Sequence, residues 1–359
     1  MKQYTSLYFV GAGGIGMSAL VRYFLAKGYK VAGYDRTQSP LTTELKTEGL
    51  EIVYEESVES IPDYCRNPET TLVVYTPAIP ASHAGLVYFR EHGFRVVKRA
   101  ELLGLITQSS KGLCFAGTHG KTTTSSMAAH IFHESPIGCN AFLGGILRNY
   151  NSNLILSEQS PFTVIEADEY DRSFHWLHPY MAVVTATDPD HLDIYGTEEA
   201  YLESFARFTS LIQPGGCLIM KKGIKLVPSV KENVKIYTYS ARDGGDFHAG
   251  NIRIGDGTIV FDFVMPEGSV ADIELGVPVE INIENAVAAM AIAWLNGVSG
   301  DDMRRAMASF KGAKRRFEFW VKRPDRVMID DYAHHPDELK ASIRSVKALY
   351  PGRRFSMIF

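Results

Sequence analysis

Cysteine is scarce: Cys65, Cys114, Cys139 and Cys217 lie far apart, with no Cys-x-x-Cys pair, which argues against a zinc knuckle or disulfide framework and for a reducing compartment. A basic excess is missing too. With 41 acidic against 37 basic side chains and a formal charge of -4, the chain lacks the electrostatic footprint of a nucleic-acid binder, so small anions must be held by local groups. There is no apolar run of about 18 residues, and no basic segment leads into a signal-like apolar stretch, so neither membrane insertion nor secretion is expected. A cytoplasmic protein is the expectation. What is present is 359 residues at 45% hydrophobic and 22% charged, enough for two or three domains with cores of their own.

Strand-like runs at 7–10, 30–34, 71–75 and 95–97 alternate with helix-like stretches, the pattern of βα units on a parallel sheet. A helical stretch over 100–108 ends in polar Ser109, Ser110 and Lys111, and an apolar strand begins at Gly112, placing a domain boundary near residue 110. A second α/β segment follows, with strands expected near 162–165 and 181–186. Between about 222 and 276 the pattern turns short and polar, with Asp256-Gly257 as a hairpin turn, so an antiparallel insertion is expected there. A helix over 285–295, a basic turn over 311–316 and a strand over 326–329 come next, and 353–359 reads as a buried strand that has only just begun. The last segment is therefore expected to be a third domain cut short.

Two glycine-rich loops carry the chemistry. Gly11, Ala12, Gly13, Gly14, Ile15 and Gly16 follow an apolar strand and precede a helical stretch, where glycines let backbone amides approach a pyrophosphate, and Asp35 closes the next strand about twenty residues on. Taken alone, this is a dinucleotide fingerprint, which would suit a nicotinamide-dependent oxidoreductase; a ligand-free tight turn is the bland alternative. The second loop, Gly117, Thr118, His119, Gly120, Lys121, Thr122, Thr123 and Thr124, also joins a strand to a helix. Amides and helix dipole suit phosphate oxygens, Lys121 suits the outer phosphates and the Thr122 hydroxyl suits magnesium. Phe115 stands where a strict P-loop has glycine, so the loop is shorter than the common form. Two loops in separate α/β segments imply two different nucleotides.

Acids follow. Glu166 closes a strand and leads into Ala167, Asp168, Glu169, Tyr170 and Asp171, while His191 follows the next strand, flanked by Asp190 and Asp193. Carboxylates at that sheet edge point toward a ligand crevice, and hard oxygen donors such as Thr122 and Glu166 suit magnesium better than His191 does. A solvated acidic loop and a structurally bonded histidine are the bland alternatives.

Together with Asn282-Ile283-Glu284-Asn285, Lys314-Arg315-Arg316-Phe317-Glu318 and Asp330-Asp331-Tyr332-Ala333-His334-His335-Pro336, these motifs resemble the Mur ligases in order and spacing over nearly the whole chain. The resemblance implies an α/β protein of three parts: a Rossmann-like UDP-substrate domain over 1–109, a central P-loop ATPase-type domain over 110–312 with the small antiparallel insertion, and a truncated third α/β domain over 313–359. It implies amide formation between UDP-N-acetylmuramate and L-alanine on the way to peptidoglycan, with recycling of murein tripeptide as the near alternative. Small-molecule substrates, ATP, Mg2+ with Mn2+ as a substitute, and a monomer or homodimer go with it. A nucleotide sensor that does not ligate is a further alternative.

Carried over by position, Gly11 to Gly16 and Asp35 would hold the UDP substrate, and Gly117, Thr118, His119, Gly120, Lys121, Thr122 and Thr123 the ATP phosphates. Thr122 and Glu166 would bind one magnesium and His191 a second, making Lys121, Glu166 and His191 the catalytic set. Asn282 and Asn285 would read adenine, Arg316 phosphate, and Asp331 the ribose or hinge; Tyr332, His334 and His335 would lie on the amino-acid side. Helix capping for the asparagines and a solvated turn for Arg315 and Arg316 are the bland alternatives. Two departures stand out. No lysine occurs from His191 to Cys217, where several relatives place a modified one, and residues 53–56 lack the Gly-His pair expected beside uridine. With part of the alanine site gone, residues 1–359 are expected to bind nucleotide but ligate poorly.

Overall fold

The computed structural model describes residues 3–242, 244–255, 257–333 and 336–358, with backbone alone at 336–338. It divides into two compact units, Met1–Ser110 and Lys111–Phe359.

In the first unit, β1 (Ser6–Val10), α1 (Ile15–Ala26), β2 (Lys30–Tyr34), α2 (Pro40–Thr47), β3 (Glu51–Val53), β4 (Thr71–Tyr75), α3 (Ala84–Glu91), β5 (Arg95–Lys98) and α4 (Arg99–Gln108) follow in order. The five strands are all parallel in the order β3-β2-β1-β4-β5. β1 is buried along its whole length, as the near-continuous apolar run Ser6–Val10 requires of a central parallel strand. Strand order reverses beside β1, and ligand crevices form at such points, beyond the carboxyl ends of the strands. The Gly11 loop leaves β1 there. The short strand β3 was not foreseen; its three residues are too few to show a period.

The second unit runs β6 (Lys111–Ala116), α5 (Lys121–His133), β7 (Asn140–Leu147), β8 (Ser152–Ile155), β9 (Phe162–Glu166), β10 (Pro179–Val184), α6 (Leu192–Tyr195), α7 (Glu198–Ser210), β11 (Cys217–Lys221) and β12 (Lys235–Ser240). After these come β13 (Phe247–Gly255), β14 (Thr258–Met265), β15 (Gly268–Glu274), α8 (Ile281–Leu295), α9 (Gly300–Ser309), β16 (Glu318–Lys322), β17 (Val327–Asp330) and α10 (Pro336–Leu349). Ten strands share one sheet, β15-β14-β13-β12-β11-β10-β6-β9-β7-β8, while β16 and β17 pair by themselves. The α/β architecture with parallel sheets is as expected.

Three expectations need correcting. Within 222–276, β12 pairs in parallel with β11 and β13, and only β13, β14 and β15 are antiparallel. These hairpin strands extend the main sheet, since backbone edges left by β11 and β12 are satisfied by adding strands. Of the expected turn, Asp256 lies outside the described residues. Residues 353–358 form no strand; they are exposed, Ile358 almost wholly so, because an extended segment without a ladder partner buries nothing. Finally, 313–359 holds an antiparallel pair with the unforeseen strand β16, where a strand-helix-strand unit was anticipated.

α8 is buried from Ile283 to Ala293 apart from Glu284, because its sequence is apolar on every side and must sit inside the core. It packs on α5, whose small Ser125, Ser126, Ala128 and Ala129 let the two backbones approach. No helix among the described residues is long and apolar enough to cross a membrane.

His130 of α5 is a buried ionisable side chain, with only 1% exposed. Its Nδ1 lies 2.6 Å from the Tyr150 hydroxyl, and its Nε2 lies 2.9 Å from Ser309 Oγ. Tyr150 donates to Glu134 Oε1 at 2.9 Å, so its oxygen accepts from Nδ1–H. Burial pushes the ring down to about 4. The unfolded chain, titrating near 6.5, therefore binds a proton the folded chain refuses, and stability falls as pH drops from 6.5 toward 4. Chemical unfolding at pH 7 and pH 5 should show about 2 kcal/mol less acid destabilisation in His130→Gln than in the parent; an equal decline in both would refute the assignment.

Candidate active site

β6 lies between β9 and β10, so the loops leaving these three strand ends converge on one edge of the sheet. The loop after β6 is shaped by glycine. Gly117 and Gly120 have φ of 138° and 82°, and a Cβ on Gly117 would run into Thr185 Oγ1 while one on Gly120 would come within 2.9 Å of Asn285 Oδ1. Thr118 ties the loop down, its amide donating to Ala186 O at 3.1 Å and its hydroxyl to Asp188 O at 2.7 Å, with the Tyr201 hydroxyl 2.9 Å away. Thr185 secures His119 by donating to its carbonyl.

Ser39, Thr197 and Ser299 cap their helices through side chains, but α5 starts at Gly120 with no such cap. Its first amides are thus left for an external acceptor, and the dipole favours an anion. Lys121, Thr122 and Thr123 form the first turn. Thr122 Oγ1 donates to Glu166 Oε1 at 3.0 Å, and the Gly144 amide donates to Glu166 Oε2 at 3.0 Å. Burial pushes the Glu166 carboxyl up, while the nearby Lys121 charge opposes that. Lys121 Nζ reaches Gly117 O and Glu169 Oε1, each at 2.7 Å. Glu169 is 1% exposed, so the solvated-face alternative fails for it.

The expected residues separate into groups. Thr122 and Glu166 are together; His191, at φ 52° ahead of α6, instead neighbours Asp190 at 3.7 Å and the Tyr170 ring at 5.2 Å. Among the described residues no three His, Cys, Asp or Glu side chains cluster as a metal site. Hydroxyl and carboxylate oxygens nevertheless fit magnesium, which usually keeps waters and phosphate oxygens for its other positions. Asn282 and Asn285 are buried on α8 beside the loop. Asn285 donates to Asn282 Oδ1 at 3.1 Å and accepts from Thr124 at 3.2 Å, and Asn282 donates to Val277 O at 3.1 Å. Each amide keeps one hydrogen to offer, and the pair braces the loop as well.

The basic turn is carried to the same edge by β7. Gly145 sits where a Cβ would touch Ala313 at 3.4 Å and Thr122 at 3.5 Å, and Lys314 N donates to Ile146 O at 2.9 Å. Asp331 accepts from the Phe317 amide at 3.2 Å, and Tyr332 N donates to Arg315 O at 2.8 Å, with the Arg315 and Arg316 guanidinium groups 4.8 and 5.6 Å from the Tyr332 ring. Asp331 thus holds the turn through its backbone. His334 and His335 lie outside the described residues.

In the first unit, Gly11 has φ 91°, its amide and that of Ala12 donate to Tyr34 O, and Gly14 precedes Ile15 and Gly16 at the start of α1. Asp35 accepts from the Gly13 amide at 2.7 Å, so it shapes the loop directly. A Cβ on Gly16 would lie 2.8 Å from an Arg99 guanidinium nitrogen, which puts a cation beside the loop. Arg99, Gly144 and the pairing of Glu169 escaped the sequence reading, since each depends on contacts distant along the chain.

Residues 6–111, 115–293 and 315–359 match, respectively, the Mur ligase family catalytic domain, the Mur ligase middle domain and the Mur ligase glutamate ligase domain. A UDP-N-acetylmuramate--L-alanine ligase of Parabacteroides distasonis is 65% identical over 100% of this chain and 78% of its own length. The ligase of that name from Phocaeicola vulgatus is 62% identical over 99% of this chain and 77% of its own. This chain belongs to the Mur ligase family. The fold agrees: the crystal structure of UDP-N-acetylmuramate-alanine ligase MurC from Thermotoga maritima superposes with a TM-score of 0.80 at 25% identity, covering 96% of this Mur ligase and 78% of that chain.

A methyl group at Gly144 would collide with the Glu166 carboxylate. Gly144→Ala in this Mur ligase should displace the Glu166 carboxylate from its hydrogen bonds and destabilise the fold by about 1–3 kcal/mol. Chemical unfolding of the variant against the parent checks this, and an unchanged midpoint would refute it.

Proposed function

We propose that the protein joins L-alanine to UDP-N-acetylmuramate at the expense of ATP, yielding the amide, ADP and phosphate for peptidoglycan synthesis in the cytoplasm. The observation carrying this reading is the cradle at the start of α5, where Lys121 and Thr122 stand among uncapped amides with Glu166 in hydrogen-bond contact. The 65% identity to a ligase of that name supports the choice of alanine over murein tripeptide.

The three parts are 1–109 for the UDP substrate, 110–312 for ATP and 313–359 on the amino-acid side. ATP phosphates are held by Gly117 to Thr123, with Lys121 on the outer ones and Arg316 nearby. Asn282 and Asn285 face the base. Thr122 and Glu166 would hold magnesium, and His191 a second ion; bound there, magnesium offsets the charge that builds on the transferring phosphoryl group. Gly11 to Gly16, with Asp35, hold the UDP moiety.

The lactyl carboxylate attacks the γ-phosphorus and ADP leaves, giving an acyl phosphate. The α-amine of alanine then attacks the acyl carbon, and phosphate departs as the amide forms. Lys121 stabilises the oxygens on which charge develops, so the protein acts chiefly by positioning and electrostatics.

Phosphate release by the protein with ATP and magnesium should require both UDP-N-acetylmuramate and L-alanine, and tripeptide should not replace alanine. Lys121→Ala should lower the rate by about 10²–10³. Turnover with tripeptide but not alanine would transfer the protein to the recycling branch, and thermal protection by NAD in place of ATP would end the ligase reading.

A further inference from the structure

Two carboxylates flank the first turn of α5, and they are held differently. Glu166 has a protein donor on each oxygen, Thr122 on one and Gly144 N on the other. Glu169 meets Lys121 through Oε1 at 2.7 Å; its buried Oε2 has no hydrogen-bond partner among the described residues. With 1% of its side chain exposed, Glu169 has no access to water for compensation. Burial pushes this carboxyl up and Lys121 resists, so the lysine is the principal support of its charge.

The carboxylate also stands on a fixed mount. The Tyr195 hydroxyl donates to the Glu169 carbonyl, Tyr195 packs edge-on against Tyr201 at 4.8 Å, and Tyr201 meets Thr118 of the phosphate loop. Beyond Glu169 the chain turns sharply through Asp171 and Arg172, both left-handed at φ 52° and 55°. Lys121 itself is folded back, its Nζ shared between Glu169 and the loop's own Gly117 carbonyl.

We propose that Glu169 is a positioning residue that competes with phosphate for Lys121, so that a bound nucleotide must exchange its phosphate oxygens for the carboxylate at the lysine. The idea deepens the ligase reading and rests on its assignment of Lys121 to ATP. A group that stabilises only the nucleotide-free arrangement lowers apparent affinity by its differential contribution to the two states. Weakening it must therefore tighten nucleotide binding, and the gain must pass through the lysine.

The test is calorimetric titration of the full chain with ADP and with ATP in EDTA, so that magnesium takes no part. Glu169→Gln should lower Kd about tenfold, whereas in a Lys121→Ala background the same substitution should shift Kd by less than about twofold. Unchanged or weaker binding in Glu169→Gln would overturn the proposal. Equal tightening in both backgrounds would overturn it as well, assigning the effect to the general field of the charge. Should Glu169→Gln fail to fold, Glu169→Asp, which keeps the charge but shortens its reach, is expected to tighten binding by a smaller factor, and no tightening counts against the idea. Failure of the unaltered protein to bind ATP at all would sink the ligase reading together with this one; normal ATP binding with no gain in the variant sinks this one alone.

Discussion

Close approach of backbone to side chain at three glycines is the constraint on which the site depends. Gly117, Gly120 and Gly144 each sit where a Cβ would strike Thr185, Asn285 or Glu166. Without that closeness the loop after β6 could not tuck beneath the strand ends, and Glu166 could not accept from Thr122 and the Gly144 amide together. The uncapped start of α5 follows from the same geometry, because a glycine in the left-handed region has no side chain to satisfy the first amides.

That loop is rigid because its surroundings are. α5 lies against α8, and both bring small residues to the contact, so movement of the loop would have to disturb a core in which Ala288, Ala289 and Ala293 are fully buried. Asn285 reaches from α8 to Thr124, while Thr118 and Thr185 fasten the other side to the strand end of β10. A polar chain through Ser309, His130, Tyr150 and Glu134 ties the far end of α5 to the hairpin that carries Gly144. The loop ahead of α5 is therefore supported along the entire length of its helix.

Electrostatics divides the work between two acids only three positions apart in the chain. Glu166 has a neutral donor on each oxygen; Glu169 meets a cation through Oε1 alone, which makes it sensitive to anything that draws that cation away. His191 stands outside this arrangement, beside Asp190 and Tyr170. Its backbone is left-handed, as are Asp171 and Arg172, so unusual backbone gathers on the two loops bordering the glycine-rich turn ahead of α5.

The alternation of apolar runs with helical stretches determined the parallel sheets, and glycine ahead of lysine and hydroxyl determined the turn that opens α5, because both signals are local to a few consecutive residues. Residues 222–276 were harder to read, since strand direction depends on the partner across the ladder and leaves no mark on the strand itself. The extended appearance of 353–359 misled for a related reason: apolar content suits a strand, but pairing and burial come only from neighbours. Tertiary structure alone decided that Gly144 supports Glu166, that Asp331 holds the basic turn through Phe317, and that Glu169 is enclosed with Lys121. Such contacts join residues from about 14 to 48 positions apart, a range over which chain proximity carries no information and only packing determines which side chains meet.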